Sequence, residues 1–310
     1  MAFIDAQRAE GHAVESICRV LREQGCQVAA RTYRAWRQAR PVSTRTHADA
    51  IVMDAIIATA GTPEGLYGRR KMTAHLRRQG LTVSYDTTDR LMRTLGRNGI
   101  RRGKGVRTTV PRRDGSRAGD LLNREFTAPA PNRVWVADFT YVRTWAGFAY
   151  VAFVVDVFAQ RVVAWHAATD KRTDLVLTPV RMALWERDRA GHPVTHGQLV
   201  HHNDAGSQYT SLRFTEHLAL EGIAPSIGTV GDAYDNGLME SIIGLFKTEC
   251  IRTRVFHHGP YKTLADVEYA TAGWVDWWNN RRLHGTLEMR TPAEREQAHY
   301  AALTPQEQPV

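Results

Sequence analysis

Apolar residues recur at helical spacing over roughly the first hundred positions and gather into strand-like runs after residue 132. Between residues 14 and 38, Val14, Ile17, Val20 and Leu21 share one helical face, Gly25 interrupts, and AARTYRAWRQA resumes the pattern. The segment reads either as a helix-turn-helix or as a helical hairpin that only packs on its neighbour, and both readings stay open. Residues 48–60 predict another apolar helix. GLYGRRKMTAHLRRQG and VSYDTTDRLMRTLGRNG form a clearer pair: Met72 and Leu76 mark one buried face, Gly80 the turn, Ser84 the N-cap, and Leu91, Met92 and Leu95 the second face. A second helix near residues 84–96 has the placement of one that enters a major groove.

The later half changes character. VWVADFTYVRT alternates like a half-buried strand, and GFAYVAFVVDVF and QRVVAWHAAT are apolar enough for central strands. DLVLTPVRMALWERDRA then reads as an amphipathic helix, QLVHHN as a strand, SLRFTEHLALEG as a helix, APSIG as a short strand and YDNGLMESIIGLFKTECI as a longer helix. Three adjacent strands followed by alternating helices and strands predict an α/β sheet.

Charge divides the chain at a similar place. The net charge is +9, yet residues 1–130 hold 24 Lys+Arg against 12 Asp+Glu, leaving 17 against 20 for the rest. The front half is therefore the half that faces a polyanion. Nine basic residues, Arg93, Arg97, Arg101, Arg102, Lys104, Arg107, Arg112, Arg113 and Arg117, surround the single acid Asp114, a run suited to phosphates along DNA. Its alternative is a solvated linker. The opening MAFIDAQRAEGH lacks the apolar run of a signal peptide, and no stretch approaches the length of a membrane span, so the chain is expected to be cytoplasmic. Cys18, Cys26 and Cys250 are too scattered for a zinc or disulfide framework and are expected to be small buried hydrophobes.

Three acids are the candidates for the chemistry, though each alone also reads as an ordinary carboxylate: Asp138 paired with an arginine or capped by amides, Asp204 forming a turn, Glu240 on an exposed helix side. Asp138 lies mid-strand on the face of Val136 and Thr140, where an ionised group is costly unless a cation pairs with it. Asp204 follows a strand, and Glu240 lies on a helix whose face also carries Asn236 and Lys247. Phosphodiester transfer needs hard cations held by a few converging carboxylates, and magnesium accepts such an oxygen set. Glu249 and Asp235 are the next acids in line, Asp156 reads as a hairpin end, and His201 and His202 as core histidines at a strand end. Trp274, Trp277 and Trp278 at helical spacing read as packing residues, with Arg281 and Arg282 as weaker DNA contacts.

WVADFTYV, FVVDVFAQRVVAW, HHNDAGSQYTS, YDNGLMES, LFKTE and WNNRRLHGTLEMRTPAE occur in the order found in transposases of the insertion sequence three family, and the chain resembles the OrfB-type product with its DDE integrase core over nearly its whole length. Asn203 and Ala205 stand where the family more often has Ser and Arg, and Gly237 where Ala is usual. The resemblance implies a ribonuclease-H-like integrase core, a mixed sheet flanked by helices, preceded by an all-α helix-turn-helix region. It assigns Asp138, Asp204 and Glu240 as catalytic metal ligands, magnesium or manganese as cofactor, and cleavage and strand transfer of DNA as the activity. Lys247, Arg101, Arg102, Lys104 and Arg107 are the expected DNA contacts. The partners it implies are double-stranded DNA at element ends and target, an upstream OrfA product and further copies of the chain. An integrase or ribonuclease-H-like nuclease is the alternative enzyme, and a catalytically silent helix-turn-helix protein the alternative of another class; the presence of all three acids argues against the latter.

On this reading the chain comprises an N-terminal helical region (1–60), a helix-turn-helix segment with a basic linker (61–117), a linker (118–130), a catalytic core with a C-terminal helical lid (131–295) and a tail (296–310). Neutralising Arg101, Arg102 and Lys104 is expected to flatten the salt dependence of duplex binding by roughly one unit of log–log slope per lost phosphate contact. An unchanged slope would return the run to a solvated linker.

Overall fold

The computed structural model describes residues 1–38, 42–101, 126–204, 206–227 and 236–303, and its chain divides into two compact units, Met1–Ile51 and Val52–Val310. In the first unit, helices α1 (Ala2–Ala9), α2 (Val14–Glu23) and α3 (Ala30–Arg37) close on a small cluster of Ile4, Ile17, Cys18 and Tyr33. Gly25 takes φ +83° behind α2, a left-handed position that costs a glycine little. Helix α1 was not legible in the charge-rich opening. Cys18 is buried as expected, whereas Cys26 is exposed, because it follows that glycine turn outside the cluster.

Helix α4 (Thr44–Ala58) spans the boundary, and its Val52 and Ile56 belong to the core of the second unit. Helices α5 (Arg69–Arg78) and α6 (Tyr85–Thr94) form the expected pair: Met72, Leu76, Leu91 and Met92 are buried, Gly80 has φ +86°, and the Ser84 hydroxyl accepts from the Thr87 amide at 3.1 Å.

A five-stranded sheet follows in the order β3-β2-β1-β4-β5, made of β1 (Val134–Thr144), β2 (Gly147–Asp156), β3 (Arg161–Ala168), β4 (Val200–Asn203) and β5 (Ala224–Ile227). Strands β1, β2 and β3 are antiparallel, and β4 and β5 add parallel to β1. Helices α7 (Asp174–Arg189) and α8 (Leu212–Leu220) cover one face, where Trp135, Ala137, Ala152 and Val154 meet Val180 and Phe214. The other face carries Val136, Phe153 and Val155 against α9 (Gly237–Leu245) and α10 (Leu264–Asn280). This is the ribonuclease-H-like mixed sheet flanked by helices.

Three readings change here. The long helix predicted through KTECI is α-helical only to Leu245, and Phe246–Ile251 continue it as a π-helical turn. Helix α10 is a layer of the core and no mere lid: Trp274 lies 5.9 Å from Phe153 and 5.2 Å from Phe246 between ring centroids. The expected tail from 296 begins inside α11 (Pro292–Leu303), where Glu296 is buried and holds Arg187 at 2.7 Å and Arg161 at 2.8 Å. Arg187 also reaches Asp156 at 3.1 Å, so Asp156 ends its hairpin as the buried partner of an arginine.

The helix-turn-helix pair shares its core with the C-terminal helices. Tyr67 stacks on Trp277 with centroids 6.0 Å apart, and its hydroxyl accepts from the Leu283 amide at 3.0 Å. Arg78 grips both oxygens of Glu294 at 2.7 and 2.9 Å. Arg282 is buried and forked onto Glu249, with Nη2 at 2.6 Å and Nε at 3.0 Å, which removes it from DNA contact. Exposed Arg281 remains accessible beside Asp276. Glu249→Gln leaves Arg282 buried without its counter-charge and is expected to destabilise this unit by about 3–5 kcal/mol. Denaturant unfolding checks this, and a loss below about 1 kcal/mol would contradict the pairing.

Candidate active site

Alternation along β1 sets the first acid. Val134 and Val136 point to the face of α9 and α10, Trp135 and Ala137 to the face of α7 and α8, so Asp138 falls on the α9 side. The parallel register pairs Val134 with Val200 and ends at Ala137 opposite Asn203. Asp138 and Asp204 are the next residues of the two strands. They therefore leave the ladder side by side, at the roughly 4.8 Å spacing of neighbouring strands. Beyond this point, among the described residues, β1 pairs only with β2, and its outer edge is open.

Local amides orient both carboxylates. Asp138 accepts from the Phe139 amide at 2.7 Å, and Asp204 from the Gly206 amide at 3.1 Å. A Cβ at Gly206 would stand 2.9 Å from the Asp204 Oδ1, so a larger residue there would displace that carboxylate. Burial raises the pKa of Asp138 well above the usual carboxylate range, and the nearby charges of Asp204 and Glu240 raise it further. Burial also raises Asp204.

Glu240 projects from the first turn of α9 and is exposed. The start of that helix is tied to the sheet by Asn236, whose Nδ2 donates to the Ala137 carbonyl at 3.3 Å, next to Asp138. Lys247, in the π-helical turn, is half-buried, lies 4.9 Å from the centre of the Tyr141 ring and feels the Asp138 charge. Burial lowers its pKa. Among the described residues, no three His, Cys, Asp or Glu side chains already converge into a metal cage.

Other expected residues separate from this cluster. Glu249 is buried in the pair with Arg282 and also accepts from the Trp274 indole at 3.4 Å, so it is no rival ligand. His201 packs on Phe214 at 5.5 Å, and burial holds its pKa down to about 3. His202 shares a 2.8 Å hydrogen bond with Ser226. Arg101 is exposed; Arg102, Lys104, Arg107 and Asp235 lie outside the described residues. Sequence reasoning missed Tyr209, a buried ring whose hydroxyl has no hydrogen-bond partner among the described residues. Burial and the charges of Asp138 and Asp204 raise its pKa, which places it against the acids. Its signal was the one aromatic in the HHNDAGSQYTS motif.

Comparison with known proteins gives matches to both parts of the chain. Models described as integrase core domain match residues 128–233 and 221–292, and a model described as HTH-like domain matches 46–105. The chain is 49% identical over 237 residues to a putative transposase for insertion sequence element IS986/IS6110 of Mycobacterium tuberculosis, covering 76% of this chain and 84% of that one. It is 47% identical over 238 residues to the transposase for insertion sequence element IS629 of Shigella sonnei, covering 77% and 76%. Transposase InsF for insertion sequence IS3A of Escherichia coli K12 is 31% identical over 278 residues, covering 87% and 88%.

The crowded acids carry a stability signature. An acid whose folded pKa is raised is favoured while protonated and loses that advantage as pH rises through the folded value. Asp138→Asn is therefore expected to raise the thermal midpoint at about pH 7 in chelator, with the gain fading toward about pH 4. A midpoint that falls at neutral pH would show that Asp138 is not under repulsion.

Proposed function

The chain belongs to the IS3 family of insertion-sequence transposases with a DDE integrase core, and on that premise we propose that Asp138, Asp204 and Glu240 are the acids through which it cuts and joins DNA. The observation that carries this reading is the register of β1 and β4, which sets Asp138 beside Asp204, together with the Glu240 charge sensed at Asp138.

The donor set fits a hard divalent cation: it is all oxygen, burial raises both aspartates, and the charge of Glu240 is felt at Asp138. Magnesium, or manganese in its place, would supply activation of the attacking oxygen and stabilisation of the leaving one. Asp138 and Asp204 form the fixed part of the site, because backbone amides orient both. Glu240, exposed in the first turn of α9, would complete the ligand set. Lys247 is positioned to bind the phosphate that Asp138 faces, and the partial burial that lowers its pKa also strengthens its attraction for an anion. Water is the nucleophile when an element end is cut, and the freed 3′ hydroxyl then attacks a second phosphodiester in a one-step exchange.

Double-stranded DNA is the substrate, gripped by α5, α6 and the basic run that follows them. The same reading includes an upstream OrfA product and further copies of the chain as partners in pairing element ends. Among the described residues, no helix is long and apolar enough to cross a membrane.

Asp138→Asn, Asp204→Asn or Glu240→Gln is expected to cut strand cleavage and joining on order 10²–10³-fold or more, with duplex affinity nearly unchanged. Oligonucleotide joining assays in magnesium, manganese, calcium and excess chelator measure it, with activity expected in the first two only. Near wild-type joining by the Glu240→Gln protein would overturn the assignment.

A further inference from the structure

The turn between β1 and β2 carries large rings that the fold does not use. Trp145 is 73% exposed, Phe148 48% and Tyr141 44%. Tyr141 and Phe148 meet edge to face at 5.4 Å, and the register sets exposed Arg143 directly across from Phe148. Each end of the group also has a cation. The Lys262 ammonium lies 5.5 Å from the centre of the Trp145 ring, and the Lys247 ammonium 4.9 Å from that of Tyr141.

The turn is held still. The Trp145 amide donates to the Tyr261 carbonyl and the Ala146 amide to the Lys262 carbonyl, both at 3.0 Å. Thr144 closes the turn by donating to the Gly147 carbonyl at 3.0 Å, and Gly147 takes φ +121°, which other residues rarely adopt. Trp145 is mostly exposed on a pinned turn and meets only the Lys262 ammonium among the ring contacts described, so little of its ring surface is used in packing.

Rings interleaved with cations suit one ligand class. Phosphates meet the cations, and bases, each with a π-face, stack on the rings. A duplex hides those faces and a single strand presents them. The cations are also local, since residues after 130 hold 17 Lys+Arg against 20 Asp+Glu, so this patch runs against the charge of its own domain. Lys247 is the link to the acids, lying 4.9 Å from the centre of the Tyr141 ring and feeling Asp138, while strand alternation sets Tyr141, Arg143 and Phe148 on the sheet face opposite Asp138. Six residues of β1 lie between Asp138 and Trp145, an extended reach of about 23 Å, the length of about seven stacked nucleotides.

We propose that the β1–β2 turn is a stacking platform for unpaired bases of the DNA strand that adjoins the reacting phosphate, with Trp145 and Phe148 as the stacking rings and Arg143 and Lys262 on its phosphates. This rests on the reading of the three acids as the DNA-joining site and adds what that reading lacks, a binding site for single-stranded DNA next to the duplex.

The test uses the full chain with two oligonucleotide substrates, a blunt duplex and the same duplex extended by a seven-nucleotide single strand carrying 2-aminopurine. The extension is expected to tighten binding about tenfold, a gain on the scale of one stacked base, and the 2-aminopurine to be quenched on binding. Trp145→Ala and Phe148→Ala should each abolish quenching and most of the gain, Trp145→Phe should keep both, and blunt-duplex affinity should hold throughout. Equal binding of both substrates by the unmodified chain overturns the platform while leaving the acids' role intact; that role is read separately by joining in the Glu240→Gln protein. The platform also falls if Trp145→Ala weakens blunt and extended substrates alike. A changed oligomeric state in light scattering with DNA affinity unchanged would make the turn a protein contact and overturn it as well.

Discussion

The double pairing of β1 is the constraint on which the rest of the second unit depends. Over its whole length it is bonded antiparallel to β2, but parallel to β4 only from Val134 to Ala137. The short second ladder does two things. It brings Asp204, distant in sequence, to the end of the same ladder as Asp138, and among the described residues it leaves the remainder of β1 paired only with β2. A longer β4 would have filled the other edge of β1 with backbone hydrogen bonds and closed the site.

Buried arginine pairs hold the helices that shape the site. Arg187 joins α7 to the end of β2 through Asp156 and to α11 through Glu296, while Arg282 and Glu249 join the π-helical turn to the chain after α10. Such pairs give little net stability over an apolar replacement, because desolvation offsets their attraction. They do penalise every arrangement that separates them. The result is a defined position for the turn that carries Lys247, and a fixed bond between the helix-turn-helix pair and the C-terminal helices through Tyr67 and Trp277.

The acids work in the opposite sense. Burial and the nearby acids raise Asp138, and burial raises Asp204, so ionising these carboxylates in the folded chain is costly. The proposed cation would relieve that cost, and Tyr209 feels the charge of both acids while the Asn236 amide binds the neighbouring Ala137 carbonyl.

Much of this was legible in the chain because it is local. Strand alternation set Asp138 on the face of Val136, and Gly80 and Ser84 marked the turn after α5 and the start of α6, all consequences of backbone period and side-chain chemistry. What stayed hidden depends on partners far apart in sequence. Glu249 and Arg282 carry the same charges in the sequence as they would on a surface, and only packing makes them a buried pair and removes both from the substrate. Glu296 looked like the start of a tail because nothing near it announces Arg187. The π-helical turn follows a periodicity that reads as plain α-helix, and Tyr209 acquires meaning only when the fold sets its ring against two acids. Sequence determined which residues can do chemistry and on which face of an element they lie; the tertiary structure decided which of them meet, because electrostatic pairing and burial act between elements that the sequence separates.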